Sequence, residues 1–89
     1  MLYMLVRNKV ENYAEWKRVG DAQAEANRAA GLTTVRLWRD AADENTVWFL
    51  LEVEDMERAK KYIEAPESAE VGRRAGVLDG EFHFIESVD

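Results

Sequence analysis

The chain has 89 residues, a formal net charge of −6, no cysteine, and hydrophobic residues at 47% of its positions. These values describe one folded domain and exclude a disulfide framework, thiol chemistry and a disordered chain. The acidic balance and the scattered basic residues, paired only at Lys60-Lys61 and Arg73-Arg74, argue against nucleic-acid binding. No apolar run reaches the roughly 18 residues of a membrane span.

The opening Met1-Leu2-Tyr3-Met4-Leu5-Val6-Arg7 is apolar but short, with neither a basic lead-in nor a small-residue cleavage site. It reads as the start of a strand over residues 2–10, and the expected compartment is the cytoplasm. Leu2, Met4, Val6, Asn8 and Val10 alternate with Tyr3, Leu5, Arg7 and Lys9. Both sets contain apolar members, so which one faces the core stays open. Asn12 and Glu15 have the spacing of a capping box and begin a helix that is expected to run to Gly31. One broad side of that helix carries Tyr13, Trp16, Val19, Ala22, Gln23 and Ala26, with Trp16 as its structural anchor.

Thr33 to Asp40 reads as the second strand, with Val35 and Leu37 on one face and Thr34, Arg36, Trp38 and Asp40 on the other. Ala41-Ala42-Asp43-Glu44-Asn45 is turn chemistry and makes a hairpin with the third strand, Thr46 to Val53. That third strand is the longest apolar run. Val47, Phe49, Leu51 and Val53 lie on one side of it, Trp48 and Leu50 on the other, so it needs cover on both faces. Asp55 caps a second helix with a stripe of Met56, Ala59, Tyr62 and Ile63. Pro66 ends it and opens a short helix, Glu67 to Ala75, closed by Gly76. Asp79-Gly80 reads as a turn before a last strand, Glu81 to Val88.

The order β-α-β-β-α-β predicts a ferredoxin-like α+β fold, with an antiparallel sheet and both helical segments on one face. The other face, carrying Arg36, Trp38, Trp48, Leu50 and His83, is left bare. A second copy of the chain is its expected cover.

The segment from Arg7 to Lys17, the hairpin from Arg36 to Val47, and Ala75-Gly76-Val77 leading into the last strand resemble the dimeric α/β-barrel superfamily. The nearest members are the antibiotic-biosynthesis-monooxygenase-like and cyclase-like proteins. The resemblance covers nearly the whole chain. It implies a homodimer with a pocket between sheet and helices in each subunit. It also implies a range of activities: cofactor-independent oxygenases, haem-degrading enzymes, lactone isomerases, polyketide cyclases and proteins of no known activity. Haem-degrading relatives use an Asn on the first strand, a Trp on the third and a His on the second helical segment. Asn8 and Trp48 match two of these, but residues 55–76 contain no histidine, so haem is not expected.

His83 is the one histidine and reads either as a general acid/base or as a sheet residue at the dimer seam. Asn8 is a candidate donor to a bound oxygen or carbonyl, or a polar strand position. Arg36 is placed to hold an oxyanion with Asn8, or to pair with Glu52 or Asp40. Trp38 and Trp48 are candidate walls for a flat ligand, or interface core. Tyr3 is a candidate donor and Glu52 a candidate base, each balanced by a solvated strand position. One histidine, no cysteine and no carboxylate loop imply no metal, and the expected enzyme uses no bound cofactor. Two functions follow: an enzyme acting on a small aromatic or polyketide-like molecule, or a non-catalytic homodimer that binds a ligand or supports another protein.

Overall fold

The structure, a computed structural model, describes residues 1–88. Its elements are β1 (Leu2–Val10), α1 (Tyr13–Ala22), α2 (Ala24–Ala29), β2 (Leu32–Arg39), β3 (Thr46–Val53), α3 (Met56–Glu64), α4 (Pro66–Arg74) and β4 (Val77–Glu86). The four strands form one antiparallel sheet in the order β2-β3-β1-β4. This is the ferredoxin-like α+β arrangement that the pattern of elements predicts.

Local chemistry accounts for most of the boundaries. The Asn12 side chain accepts from the Glu15 backbone N–H at 3.0 Å, and Asp55 accepts from those of Glu57 and Arg58 at 2.9 and 3.2 Å. Each satisfies donors that a helix start leaves free. Gly31 and Gly76 follow the helical segments with φ of 83° and 76°, the left-handed conformation in which a side chain would be strained. Pro66 occupies the first turn of α4, where its missing N–H costs nothing.

The hairpin between β2 and β3 is held by side chains as well as by backbone. Asp43 accepts from the Asn45 N–H at 3.0 Å and from the Thr46 hydroxyl at 2.9 Å, with Lys9 at 3.4 Å. Those hydrogen bonds, the backbone one first, hold the Asp43 carboxyl below its ordinary value of 3.8. A depressed carboxylate contributes stability above its unfolded value, and that contribution disappears as the pH falls through the folded value. Asp43→Asn is therefore expected to lower the urea midpoint near pH 7 and to match the parent near pH 2. An equal offset at both pH values would remove the carboxylate from the explanation.

The core lies between the sheet and the helices. Met4, Val6, Leu32, Leu51, Val53 and Ala59 are buried together, with Phe49, Tyr62, Ile63 and Phe84 packed against them. This settles the facing of β1: Leu2, Met4, Val6, Asn8 and Val10 face the helices, while Tyr3, Leu5, Arg7 and Lys9 face away.

Four local expectations are corrected. The first helical segment is two helices, breaking at Gln23, whose N–H reaches back to the Gly20 carbonyl at 3.0 Å. In β2 the register shifts between Thr34 and Arg36, so Thr34 pairs with Leu51 and Leu37 with Phe49. This bulge puts Thr34 on the helix side with Leu37 and leaves Val35 38% exposed. Asp79-Gly80 is not a turn, because both residues are paired in β4, opposite Lys9 and Asn8. The last strand accordingly starts at Val77, and it ends at Glu86 rather than Val88.

Candidate functional site

Helices cover one side of the sheet without filling the space above it. The two helix pairs leave a cavity of about 650 Å³ over the middle of the sheet. Its floor includes Met4, Val6, Leu51 and Phe49, its walls include Trp16 and Val19 from α1 and Val71 from α4, and Phe82 reaches it from β4. Trp16 is fixed there by tilted contacts with Tyr13 and Phe49, at ring-centroid distances of 6.0 and 5.6 Å. The expected anchor is thus also part of the cavity wall. The volume and the mainly apolar lining suit a ligand of a few fused rings.

Asn8 is a polar group on the cavity floor, where Thr34 of β2 is another. Its cross-strand neighbour is Gly80, and a Cβ at position 80 would lie 2.7 Å from Asn8 Oδ1. The bare glycine gives the amide its room. Among the described residues the Asn8 side chain makes no hydrogen bond, so both its oxygen and its NH₂ remain available to a ligand.

The other six residues singled out from sequence lie across the sheet from Asn8. Strand pairing sets them in rows on the bare face: Trp38 beside Trp48 beside Arg7 beside Glu81, and Arg36 beside Leu50 beside Leu5 beside His83. A third row runs through Thr33, Glu52, Tyr3 and Ile85. Arg36, Trp38, Trp48, Tyr3, Glu52 and His83 therefore share one face, and the backbone of the sheet separates them from Asn8 within a subunit. The expected cooperation of Asn8 with Arg36 and His83 in one cavity is corrected by the parity of β1. Asn8 is even-numbered on a strand whose even residues face the helices.

The bare face has its own polar order. The Trp48 indole N–H donates to Asp40 Oδ2 at 3.3 Å, which fixes its ring. Arg7 pairs with Glu81 at 2.6 Å and with Asp79 at 3.2 Å, and His83 Nε2 lies 3.0 Å from Glu81. The Arg7 guanidinium, and after it His83, holds the Glu81 carboxyl below its usual range. Arg36 makes no ion pair with Glu52 or Asp40 among the described residues. Trp38 is 47% exposed and Ile85 41%. No group of histidine, cysteine and carboxylate side chains suited to a metal ion occurs among the described residues.

Two polar residues of the cavity were missed by the sequence reading. The Tyr62 phenol on α3 donates to Asn27 Oδ1 on α2 at 2.7 Å, and both line the cavity. Tyr62 had been assigned to the apolar stripe, and Asn27 to no face. The signal lay in the spacing: Asn27 is four residues after Gln23 and three before Ala30, on the helix side that faces the sheet.

No family model matches the chain, and no curated protein matches it in sequence. Solved structures match it closely in shape. A cofactor-independent oxygenase from Streptomyces nogalater, SnoaB, superposes with a TM-score of 0.74 at 16% identity, over 99% of this chain and 93% of that one. A proposed antibiotic biosynthesis monooxygenase from Bordetella bronchiseptica gives 0.80 at 12% identity, over 98% and 96%. The chain has the antibiotic-biosynthesis-monooxygenase-like fold. An uncharacterised NIPSNAP domain protein from Burkholderia xenovorans shares that fold too, at 0.69 and 12% identity over 99% and 95%. At these identities the likeness is one of fold, and one fold hosts several chemistries. No helix among the described residues is long and apolar enough to cross a membrane.

Proposed function

We propose that the protein is a homodimer that binds a flat, aromatic or polyketide-like molecule in the cavity of each subunit. The chemistry proposed there is cofactor-independent oxygenation or a related cyclisation. The carrying observation is the 650 Å³ apolar cavity with the unengaged Asn8 amide on its floor. A substrate whose enol or phenol anion is stabilised needs a donor at the developing oxyanion, and the Asn8 NH₂ supplies one. In an oxygenation, a ring-flanked methylene loses a proton and its carbanion reduces dioxygen. One oxygen atom ends in the new carbonyl and the other leaves as water. The likeness to SnoaB supports this reading.

In this proposal Arg36, Trp38, Trp48, Tyr3, Glu52 and His83 serve the contact between subunits. His83, which does not line the cavity and pairs with Glu81, favours a second reading, a dimer that binds the same ligands without transforming them. Oxygen uptake with anthrone-type substrates separates the two. The first reading expects turnover above the buffer rate, and Asn8→Ala to lower it about ten- to a hundredfold, the effect of one hydrogen bond to a charged oxygen. Binding without uptake supports the second. A protein that neither binds nor oxidises these compounds has neither function.

A further inference from the structure

We infer that Tyr62 and Asn27 form a second polar contact point of the cavity, in which Tyr62 holds the Asn27 carbonyl oxygen so that the Asn27 NH₂ is presented to a carbonyl or phenolate oxygen of the ligand. The inference rests on the proposed cavity and extends it from one polar contact to two.

The geometry is as follows. An amide side chain has an acceptor end and a donor end, and by itself it can turn either toward a ligand. The Tyr62 phenol occupies the acceptor end of Asn27 at 2.7 Å. The donor end has no partner among the described residues. Burial raises the Tyr62 pKa, so the phenol keeps its proton, and its donor role, throughout the neutral range. Asn27 is half-buried on α2, and Tyr62 is half-buried on α3, in contact with the core cluster. The donor therefore sits on a support fixed from two helices, which lowers the entropy lost when a ligand binds. Asn8 offers its amide from the sheet and Asn27 from the helical wall. Two such donors in an apolar cavity select a flat ring system bearing oxygens at more than one position. A bare hydrocarbon of the same outline would leave both amides without partners.

Tyr62 is on this account a positioning residue, and the plain alternative is a latch that merely joins α2 to α3. Asn27→Asp distinguishes them, because a carboxylate still accepts from Tyr62 but has no NH₂ to donate. The probes are the hydroxymethyl derivatives of anthraquinone and anthracene, neutral compounds that share an outline and differ in the ring oxygens. Affinities come from fluorescence titration of the full-length protein.

The wild type is expected to prefer the anthraquinone probe. Asn27→Asp should weaken that probe about tenfold and shift the anthracene probe less than twofold, with the melting temperature unchanged. Tyr62→Phe should move affinity in the same direction, and should add nothing in the Asn27→Asp background. Equal losses for both probes, no loss for either, or no preference in the wild type would each overturn the inference and leave the cavity reading standing. A wild type that binds neither probe would remove the cavity reading, and the inference with it. Asn27→Asp keeps the latch, so the test does not depend on Tyr62→Phe folding.

Discussion

Leu50→Asp is expected to turn the proposed dimer into a monomer. Leu50 stands at the centre of the bare face, between Arg36 on β2 and Leu5 on β1, with His83 beyond Leu5. Trp48 and Trp38 lie in the row on one side of Leu50, and Tyr3 and Ile85 in the row on the other. Burying each of the large apolar side chains contributes about 1.5–3 kcal/mol. A twofold contact uses each residue twice. One substitution therefore removes two leucines and puts two carboxylates into the seam, where desolvating each costs several kcal/mol. Sedimentation velocity at micromolar concentration should give twice the chain mass for the wild type and the chain mass for Leu50→Asp. A variant that stays dimeric would place the interface elsewhere, and a monomeric wild type would remove it.

Leu51→Ala, one residue along, should act in a different way. Leu51 points to the helices, is 3% exposed, and packs in the cluster with Met4, Val6, Val53 and Ala59. Removing its three outer carbons forfeits transfer energy and leaves a hole, together about 2–5 kcal/mol. A domain of this size has a total stability of about 5–15 kcal/mol, so much of the margin goes. Urea unfolding should show a large fall in the midpoint at every protein concentration. The Leu50→Asp midpoint should instead lie below that of the wild type by an amount that grows with protein concentration, because association stabilises by mass action. A Leu51→Ala midpoint close to the wild type would mean that the cavity side had collapsed to fill the gap.

The contrast between those neighbours was readable from sequence, because Val47, Phe49, Leu51 and Val53 alternate with Trp48 and Leu50, apolar on both sides. The caps at Asn12 and Asp55 and the closing Gly31 and Gly76 were readable for the same kind of reason, since one residue suffices to satisfy or release the backbone there. The parity of β1 was not. Its two residue sets are both partly apolar, and only packing against α3 chooses between them. That one choice divides Asn8 from Arg36 and His83. The bulge at Thr34–Arg36 escapes a period-two reading because it is a break in the period. Asp79-Gly80 has turn composition, yet pairing with Asn8 and Lys9 keeps it extended, and the glycine serves the neighbouring amide instead. The break at Gln23 has no proline to announce it.

The division of the three tryptophans between the two sides of the sheet has a practical consequence. Trp16 lines the cavity, while Trp38 and Trp48 lie on the opposite face. An absorbing guest above Phe49 would quench the first indole, and separation of the proposed dimer would shift the emission of the other two. Phenylalanine replacements at these positions would give two optical channels, one for occupancy and one for assembly, in the same cuvette.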